Sequence, residues 1–260
     1  MIVLLKRVMV ERFELKSRQQ FHDLIATRKR WNQLQGQLKS GLPYEELVGP
    51  YWGRHNCALD EVEPGSDWHN SALDSKKERE LQCHVHASQW FLARASQETA
   101  LHSSDLLQLH AILTENLQPQ AGYYRVSKDD SMVEVENPAD WQLIPDFVES
   151  ALEWFHADSF GEMHEVERAA LMLIRLVDIH PFDRENGKTI RLFSNYFLLK
   201  AGYPPAIIRA EQAVVYAEAL QEALQLRTGA LVKLLTEAVM ESLRLCLGED
   251  RGSPRLVILD

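Results

Sequence analysis

The sequence predicts an all-α protein with one short β-hairpin. Apolar residues recur at three- and four-residue spacing through most of the chain, the mark of helices with one buried face. Where that spacing stops, glycine and proline stand at the breaks. One segment alone, residues 122–135, alternates around a polar turn as paired strands do.

Taken in order, helices are expected around Arg18–Leu38 and Lys77–Leu92. Between them Gly49–Ser75 is rich in Gly, Pro, Asn and Asp and reads as an irregular connection. The hairpin pairs Gly122–Val126 with Met132–Val135 across the turn Ser127–Ser131. From Arg168 the residues Ala169, Ala170, Leu173, Ile174 and Val177 repeat with helical period. That helix should end near His180, because Pro181 pushes the residue before it out of the helical region. The next helix starts at Gly187 or Lys188, buries Ile190, Phe193, Phe197 and Leu198, and stops at Ala201-Gly202-Tyr203-Pro204-Pro205. Two further helices follow near Glu211–Leu226 and Leu231–Leu247. The tail Gly248–Asp260 is polar and then apolar, as a linker or a docking strand would be.

The chain has 260 residues, room for one large domain or one domain with an appendage. A net charge of −10 argues against a general nucleic-acid binder. Cys57, Cys83 and Cys246 are too few and too scattered for a disulfide framework, so reduced thiols in the cytoplasm are expected. No apolar run approaches the roughly 18 residues of a membrane span. The opening Met1–Leu5 is interrupted by Lys6, Arg7, Glu11 and Arg12 before a signal-peptide core forms. Export by a route without a cleaved signal stays compatible with these letters.

The stretch His180-Pro181-Phe182-Asp183-Arg184-Glu185-Asn186-Gly187-Lys188-Thr189-Ile190-Arg191 carries the most chemistry. It places a histidine, a polar turn and two basic residues at the mouth of an apolar helix. A helix N-terminus attracts anions, because its first amides lack partners and its dipole end is positive. His180 is the candidate general base, against the simpler reading of a helix cap. Phe182 reads as a buried anchor. Asn186 can donate an amide hydrogen to a phosphate oxygen, and Gly187 lets the backbone approach an anion. Lys188 and Arg191, three residues apart, share a helix face and suit a polyphosphate; the plainer alternative is a solvated basic edge. Cys83-His84-Val85-His86 lacks the spacing and a matching partner pair for a metal site, and reads as incidental histidines on a helix.

This stretch resembles the signature loop of the Fic family, His-Pro-Phe-x-Asp/Glu-Gly-Asn-Gly-Arg-x-x-Arg. Ala121-Gly122-Tyr123-Tyr124-Arg125 is similar to the family's approach to its flap, and Ala201-Gly202-Tyr203-Pro204-Pro205-Ala206-Ile207-Ile208 to its usual continuation after the core helix. The resemblance runs from about Ser104 to Leu247. It implies a Fic-type helical bundle with a β-hairpin flap over the active site. The division that follows is a helical segment 1–100, a core 101–247 and a tail 248–260. The implied reaction is AMPylation-like transfer from a nucleotide, ATP in most of the family, to a Ser, Thr or Tyr hydroxyl of a protein substrate. No nucleic acid or membrane partner is implied; self-modification and homo-oligomer formation are compatible.

Carried over by this resemblance, His180 is the base, and Asn186 and Gly187 cradle the α-phosphate. Lys188 and Arg191 hold the leaving pyrophosphate, and Tyr216 lies near the nucleotide base. Ser127, Lys128, Met132 and Val133 belong to the flap that pairs with the target chain. Three positions depart from the pattern, the mildest being Lys188 for arginine, which loses the bidentate geometry. Arg184 stands where an acid would hold Mg²⁺, and a cation cannot ligate a metal. Glu185 replaces the usual glycine. Asp183 and Glu185 flank the missing acid as candidate shifted ligands, so dependence on Mg²⁺ is in doubt. Many relatives carry an inhibitory Ser/Thr-x-x-x-Glu-Gly/Asn motif whose Glu pairs with the second loop arginine. The nearest match, Asn56-Cys57-Ala58-Leu59-Asp60-Glu61, offers Asp60 and Glu61 as the inhibitory acids, against the simpler reading of an acidic loop. The departures leave two readings: an enzyme, or a Fic-fold module that binds nucleotide, phosphate or a protein partner without turnover.

Overall fold

Residues 21–35, 44–60, 75–126, 139–157 and 160–247 are described by the computed structural model. Among them the regular structure is helical throughout. The helices are α1 (His22–Gln35), α2 (Tyr44–Ala58), α3 (Ser75–Ala95), α4 (Ser103–Leu113), α5 (Ile144–Phe155), α6 (Glu165–Ile179), α7 (Asn186–Phe193), α8 (Tyr196–Lys200), α9 (Ala213–Leu224) and α10 (Gly229–Cys246). Short 3-10 turns, Trp141–Leu143 and Ala210–Gln212, lead into α5 and α9. No helix among the described residues is long and apolar enough to cross a membrane.

α6 is the hub. Val166, Ala169, Ala170, Leu171, Met172, Leu173, Leu176, Val177 and Ile179 are all buried, so it is apolar on nearly every side. It packs against α5, α7, α8, α9 and α10. Its start is held by His164, whose Nδ1 accepts the Val166 N–H, while the Glu167 carboxylate accepts the His164 N–H. Around it Phe91, Phe155, Phe182, Phe193 and Phe197 fill the core with Leu106, Leu109 and Ile144. The seams α2–α3 and α3–α4 are extensive, and α2 also touches α7.

Three expectations are corrected here. The connection read as irregular, Gly49–Ser75, begins inside α2, which runs through Pro50 to Ala58. Its formation is a tertiary matter: at Gly53 the helix approaches α3 so closely that an added Cβ would lie 2.7 Å from Leu81 Cδ1 and 3.3 Å from His84 Nδ1. Second, the predicted single helix from Gly187 to Ala201 is two helices. Ser194 Oγ and Asn195 Nδ2 both donate to the Arg191 carbonyl, at 3.0 and 2.7 Å, and interrupt the backbone ladder between α7 and α8. Third, α4 and α5 lie where no helix had been singled out. The turn and second strand of the expected hairpin, with Ser127, Lys128, Met132 and Val133, lie outside the described residues. Of the first strand, Gly122–Val126, the described backbone carries no strand assignment. The Arg125 N–H donates to the Pro181 carbonyl at 3.0 Å.

Candidate functional site

The loop 180–185 is the turn between α6 and α7, and both of its ends are left-handed. His180 (φ 51°, ψ 68°) caps α6, its N–H donating to the Leu176 carbonyl at 2.9 Å. Glu185 (φ 61°, ψ 23°) caps α7. A non-glycine residue pays roughly 1–2 kcal/mol for this conformation, so the surroundings must hold it. They do so from inside. Asn186 Oδ1 accepts the Phe182 N–H at 3.0 Å, and Asn186 Nδ2 donates to the Phe182 carbonyl at 2.7 Å. The second Nδ2 hydrogen reaches His180 Nε2 at 2.9 Å. Those two backbone contacts fix the orientation of the amide, so His180 Nε2 is the acceptor and the ring proton is on Nδ1.

Phe182 anchors the loop. It is fully buried and lies flat on the His110 ring, centroids 3.8 Å apart and planes 2° from parallel. His110 is itself a tether. Its Nδ1 accepts the Gly122 N–H at 3.0 Å, which leaves the proton on Nε2 to meet the Arg184 carbonyl at 3.2 Å. Burial pushes the His110 pKa down to about 4, so the ring is neutral at neutral pH. Arg125 closes the other side, donating from Nε to the His180 carbonyl at 2.8 Å and from its guanidinium to the Ala139 carbonyl. The backbone of the histidine turn is thus held by a buried cation and a neutral imidazole.

At the start of α7 two cations meet acids of the same chain. Lys188 Nζ lies 2.8 Å from the Glu185 carboxylate and 3.1 Å from that of Glu80 on α3. Burial works against its charge, but Glu185, Cys57 and Glu80 outweigh it and hold the ammonium above the ordinary lysine pKa. Arg191 Nη2 is 2.7 Å from Asp60 Oδ1. Its Nε donates to Asn56 Oδ1 at 2.5 Å and its Nη2 to the Asn56 carbonyl at 2.9 Å. The Tyr216 hydroxyl completes the set, with the guanidinium 5.7 Å from the Tyr216 ring centroid. Burial opposes this charge too, and Asp60 and Tyr216 override it upward. Gly187 makes the approach possible: a Cβ there would lie 2.7 Å from both Asp60 Oδ1 and Arg191 Nη1.

A family model described as Fic/DOC matches residues 100–198, which contain the loop, its His110 tether and α7. The chain carries a Fic/DOC domain. Protein adenylyltransferase Fic of Drosophila ananassae is 31% identical over 173 residues, 66% of this chain and 34% of that protein. The protein of the same name from Culex quinquefasciatus is 31% identical over 145 residues, 55% of this chain and 28% of its own length. The chain thus spans about a third of the length of these curated relatives. Among solved structures, residues 134–508 of Fic-1 from C. elegans superpose with a TM-score of 0.73 at 21% identity, over 89% of this chain and 72% of that one. A Fic domain containing signaling protein from Bacteroides thetaiotaomicron gives 0.69 at 20% identity, over 87% of this chain and all of that one (100%). These likenesses bear on the fold.

Within the Fic domain the sequence-predicted residues sort into three clusters. His180 and Asn186 meet, but through an amide turned into the loop; Asn186 is engaged there and not offered to a helix-end anion. Lys188 meets Glu185 and Glu80 and is neither a solvated edge nor turned to solvent. Arg191, Tyr216, Gly187 and Asp60 meet at the α7 start. Glu61 lies outside the described residues. Arg184 is exposed and Asp183 half-buried. Glu185, committed to Lys188, is not free to join Asp183, and no group of three His, Cys, Asp or Glu among the described residues could hold a metal ion. With Arg184 a cation and Glu185 held by Lys188, the loop offers a metal at most the Asp183 carboxylate.

Four residues in or beside the site were not picked from the sequence: Asn56, Glu80, His84 and His110. Asn56 had been seen only as a failed match to a hydroxyl residue. His84 had been set aside as incidental; it is fully buried and its Nε2 receives the Asn56 amide at 2.8 Å. Burial, then the charges of Lys188 and Arg191, push its pKa down to about 3. The one available signal was spacing: Glu80 and His84 stand four apart, on one face of α3.

Proposed function

We propose that this chain is a protein adenylyltransferase held in an inhibited state by its own Asp60. The observation that carries the reading is the Asp60–Arg191 contact at 2.7 Å, made beside Gly187 at the start of α7, where the outer phosphates of ATP would lie. A carboxylate on that arginine competes with a polyphosphate for the same cation. In the reaction a Ser, Thr or Tyr hydroxyl of a target protein, or of this chain itself, attacks the α-phosphorus of ATP. The new O–P bond forms as the bond to pyrophosphate breaks. His180 takes the hydroxyl proton through Nε2, the nitrogen now covered by the Asn186 amide, so the hydroxyl replaces that contact. Arg191, once Asp60 withdraws, holds the departing pyrophosphate. Lys188, paired with Glu185 and Glu80, supports this charge only after those acids move.

A second reading has its own support. Arg184 is exposed where relatives need an acid, and Glu185 is bound to Lys188. Both favour a Fic domain that binds nucleotide without turnover. Incubation with α-labelled ATP separates the two. Asp60→Asn should bind ATP at least about tenfold more tightly than the natural chain, the equivalent of about 1.4 kcal/mol of relieved competition, and should gain covalent label. ATP binding without label in Asp60→Asn would establish the second reading. Unchanged affinity would remove Asp60 as an inhibitor.

A further inference from the structure

Asn56 makes four hydrogen bonds, more than any latch on Arg191 requires. Its Oδ1 and its carbonyl accept from Arg191 Nε and Nη2, at 2.5 and 2.9 Å. Its Nδ2 uses both hydrogens, one on His84 Nε2 at 2.8 Å and one on the Lys188 carbonyl at 3.1 Å. The four bonds join three helices: α2, which carries Asn56, α7 with Arg191 and Lys188, and α3 with His84. His84 cannot turn away. It is fully buried, stands edge-on to Trp52 with centroids 5.9 Å apart, and rests against the bare face of Gly53.

This arrangement is directional. Arg191 can only donate and the Lys188 carbonyl can only accept, so Asn56 faces the first with its oxygen and the second with its amide nitrogen; the remaining amide hydrogen meets His84 Nε2, which is thereby the acceptor of that ring. A flipped amide would set donor against donor at Arg191 and acceptor against carbonyl at Lys188. Asp60 differs in every respect. Its carboxylate meets Nη2 at 2.7 Å, and its side chain is 24% exposed. Arg191 Nη1 points instead toward Gly187.

We infer that Asn56, held between His84 and the Lys188 carbonyl, is the positioning residue of Arg191: it holds the Nε edge of the guanidinium whether or not Asp60 is engaged, and so keeps the cation aimed at the start of α7. Helix α2 and the turn that follows it then carry two opposed functions four residues apart, Asn56 aiming the cation and Asp60 covering it. The inference rests on Arg191 as the cation that meets phosphate. It predicts opposite signs for two neighbouring substitutions, whereas a latch made of both residues predicts the same sign.

The test reads the site directly as well as through ATP. With ¹⁵N-arginine labelling, the Arg191 Nε–H resonance, assigned by its absence in Arg191→Lys, should exchange slowly in the natural chain and in Asp60→Asn. It should be lost in Asn56→Leu, which has the same shape without the polar atoms. It should persist in Asn56→Asp, which keeps the acceptor oxygen on Arg191, loses the bond to the Lys188 carbonyl, and meets His84 once that ring moves its proton to Nε2. By calorimetry, Asn56→Leu placed in Asp60→Asn should weaken ATP binding by about tenfold or more, and Asn56→Asp in the same background by less. Tighter ATP binding in Asn56→Leu, or a protected Nε–H that survives in it, would overturn the inference. So would equal loss of protection in Asn56→Asp, a variant that keeps the test sound if Asn56→Leu unfolds. If the resonances behave as described while no variant binds ATP, Asn56 stands as the positioning residue and the nucleotide reading of the site falls.

Discussion

At the scale of single residues, the loop puts its chemistry where the backbone is least comfortable. His180 and Glu185 both adopt positive φ without being glycine, and they bracket the turn that presents the imidazole. Such conformations persist only where neighbours over-determine them; here Asn186, His110 and Arg125 do so. The imidazole takes the bond from Asn186, and the backbone frame of the turn is held by other groups. His180→Ala should therefore fold, with stability within about 1 kcal/mol of the natural chain. In the Asp60→Asn background it should lower AMP transfer by roughly 10²- to 10⁴-fold, the usual worth of a positioned base. Circular dichroism and label incorporation measured on the same preparation check both halves. Undiminished transfer in the folded variant would remove His180 as the base.

At the scale of elements, the site is made by helices crossing one another and by no single motif. Asp60 follows α2, Glu80 and His84 stand on α3, His110 on α4, and the cations they meet on α7. Phe182 ties the loop to α4 through its stack on His110. Removing the ring leaves a cavity in a fully buried place, and Phe182→Ala should cost about 3–5 kcal/mol in urea or guanidinium unfolding. A loss below about 1 kcal/mol would mean that the loop is held by its hydrogen bonds alone. Local pattern was sufficient for α6, α9 and α10, whose apolar periodicity is long. It failed for α2, whose Gly49, Pro50 and Gly53 read as breakers. Gly53 permits close packing on α3, an advantage that exists only once α3 is in place.

At the scale of the whole molecule, two neutral histidines join the helices around the loop. In the folded protein His84 titrates at about 3 and His110 at about 4, each depressed by burial, against an unfolded value near 6.5. The unfolded chain therefore binds protons that the folded chain does not, and stability falls as pH drops below about 6.5. The loss continues through about 4 for His110 and about 3 for His84. Glu167, whose carboxyl burial raises, works in the opposite direction at the acid end. Unfolding free energies from about pH 7.5 down to about pH 4.5 should decline steadily in the natural chain. The decline should be shallower in His110→Phe, which keeps a stacked ring without a titrating nitrogen. An identical slope in the two proteins would show that His110 is not a source of the acid sensitivity.

What the sequence determined by itself is what adjacent residues can express. Helical periodicity set the all-α class, Pro181 set the end of α6, and the ordered run from His180 to Arg191 marked the loop together with its histidine and its two cations. Tertiary structure decided what those groups touch. A lysine and an arginine three residues apart read alike in a sequence, yet Lys188 is neutralised by α3 and its own turn, while Arg191 is shared between Asp60, Asn56 and Tyr216. Asn186 looked like a phosphate donor, but the buried backbone groups of Phe182 need partners, and the Asn186 amide supplies them. Asp60 is separated from Arg191 by more than a hundred residues. Their contact follows from the crossing of α2 and α7, and from the lack of a side chain on Gly187.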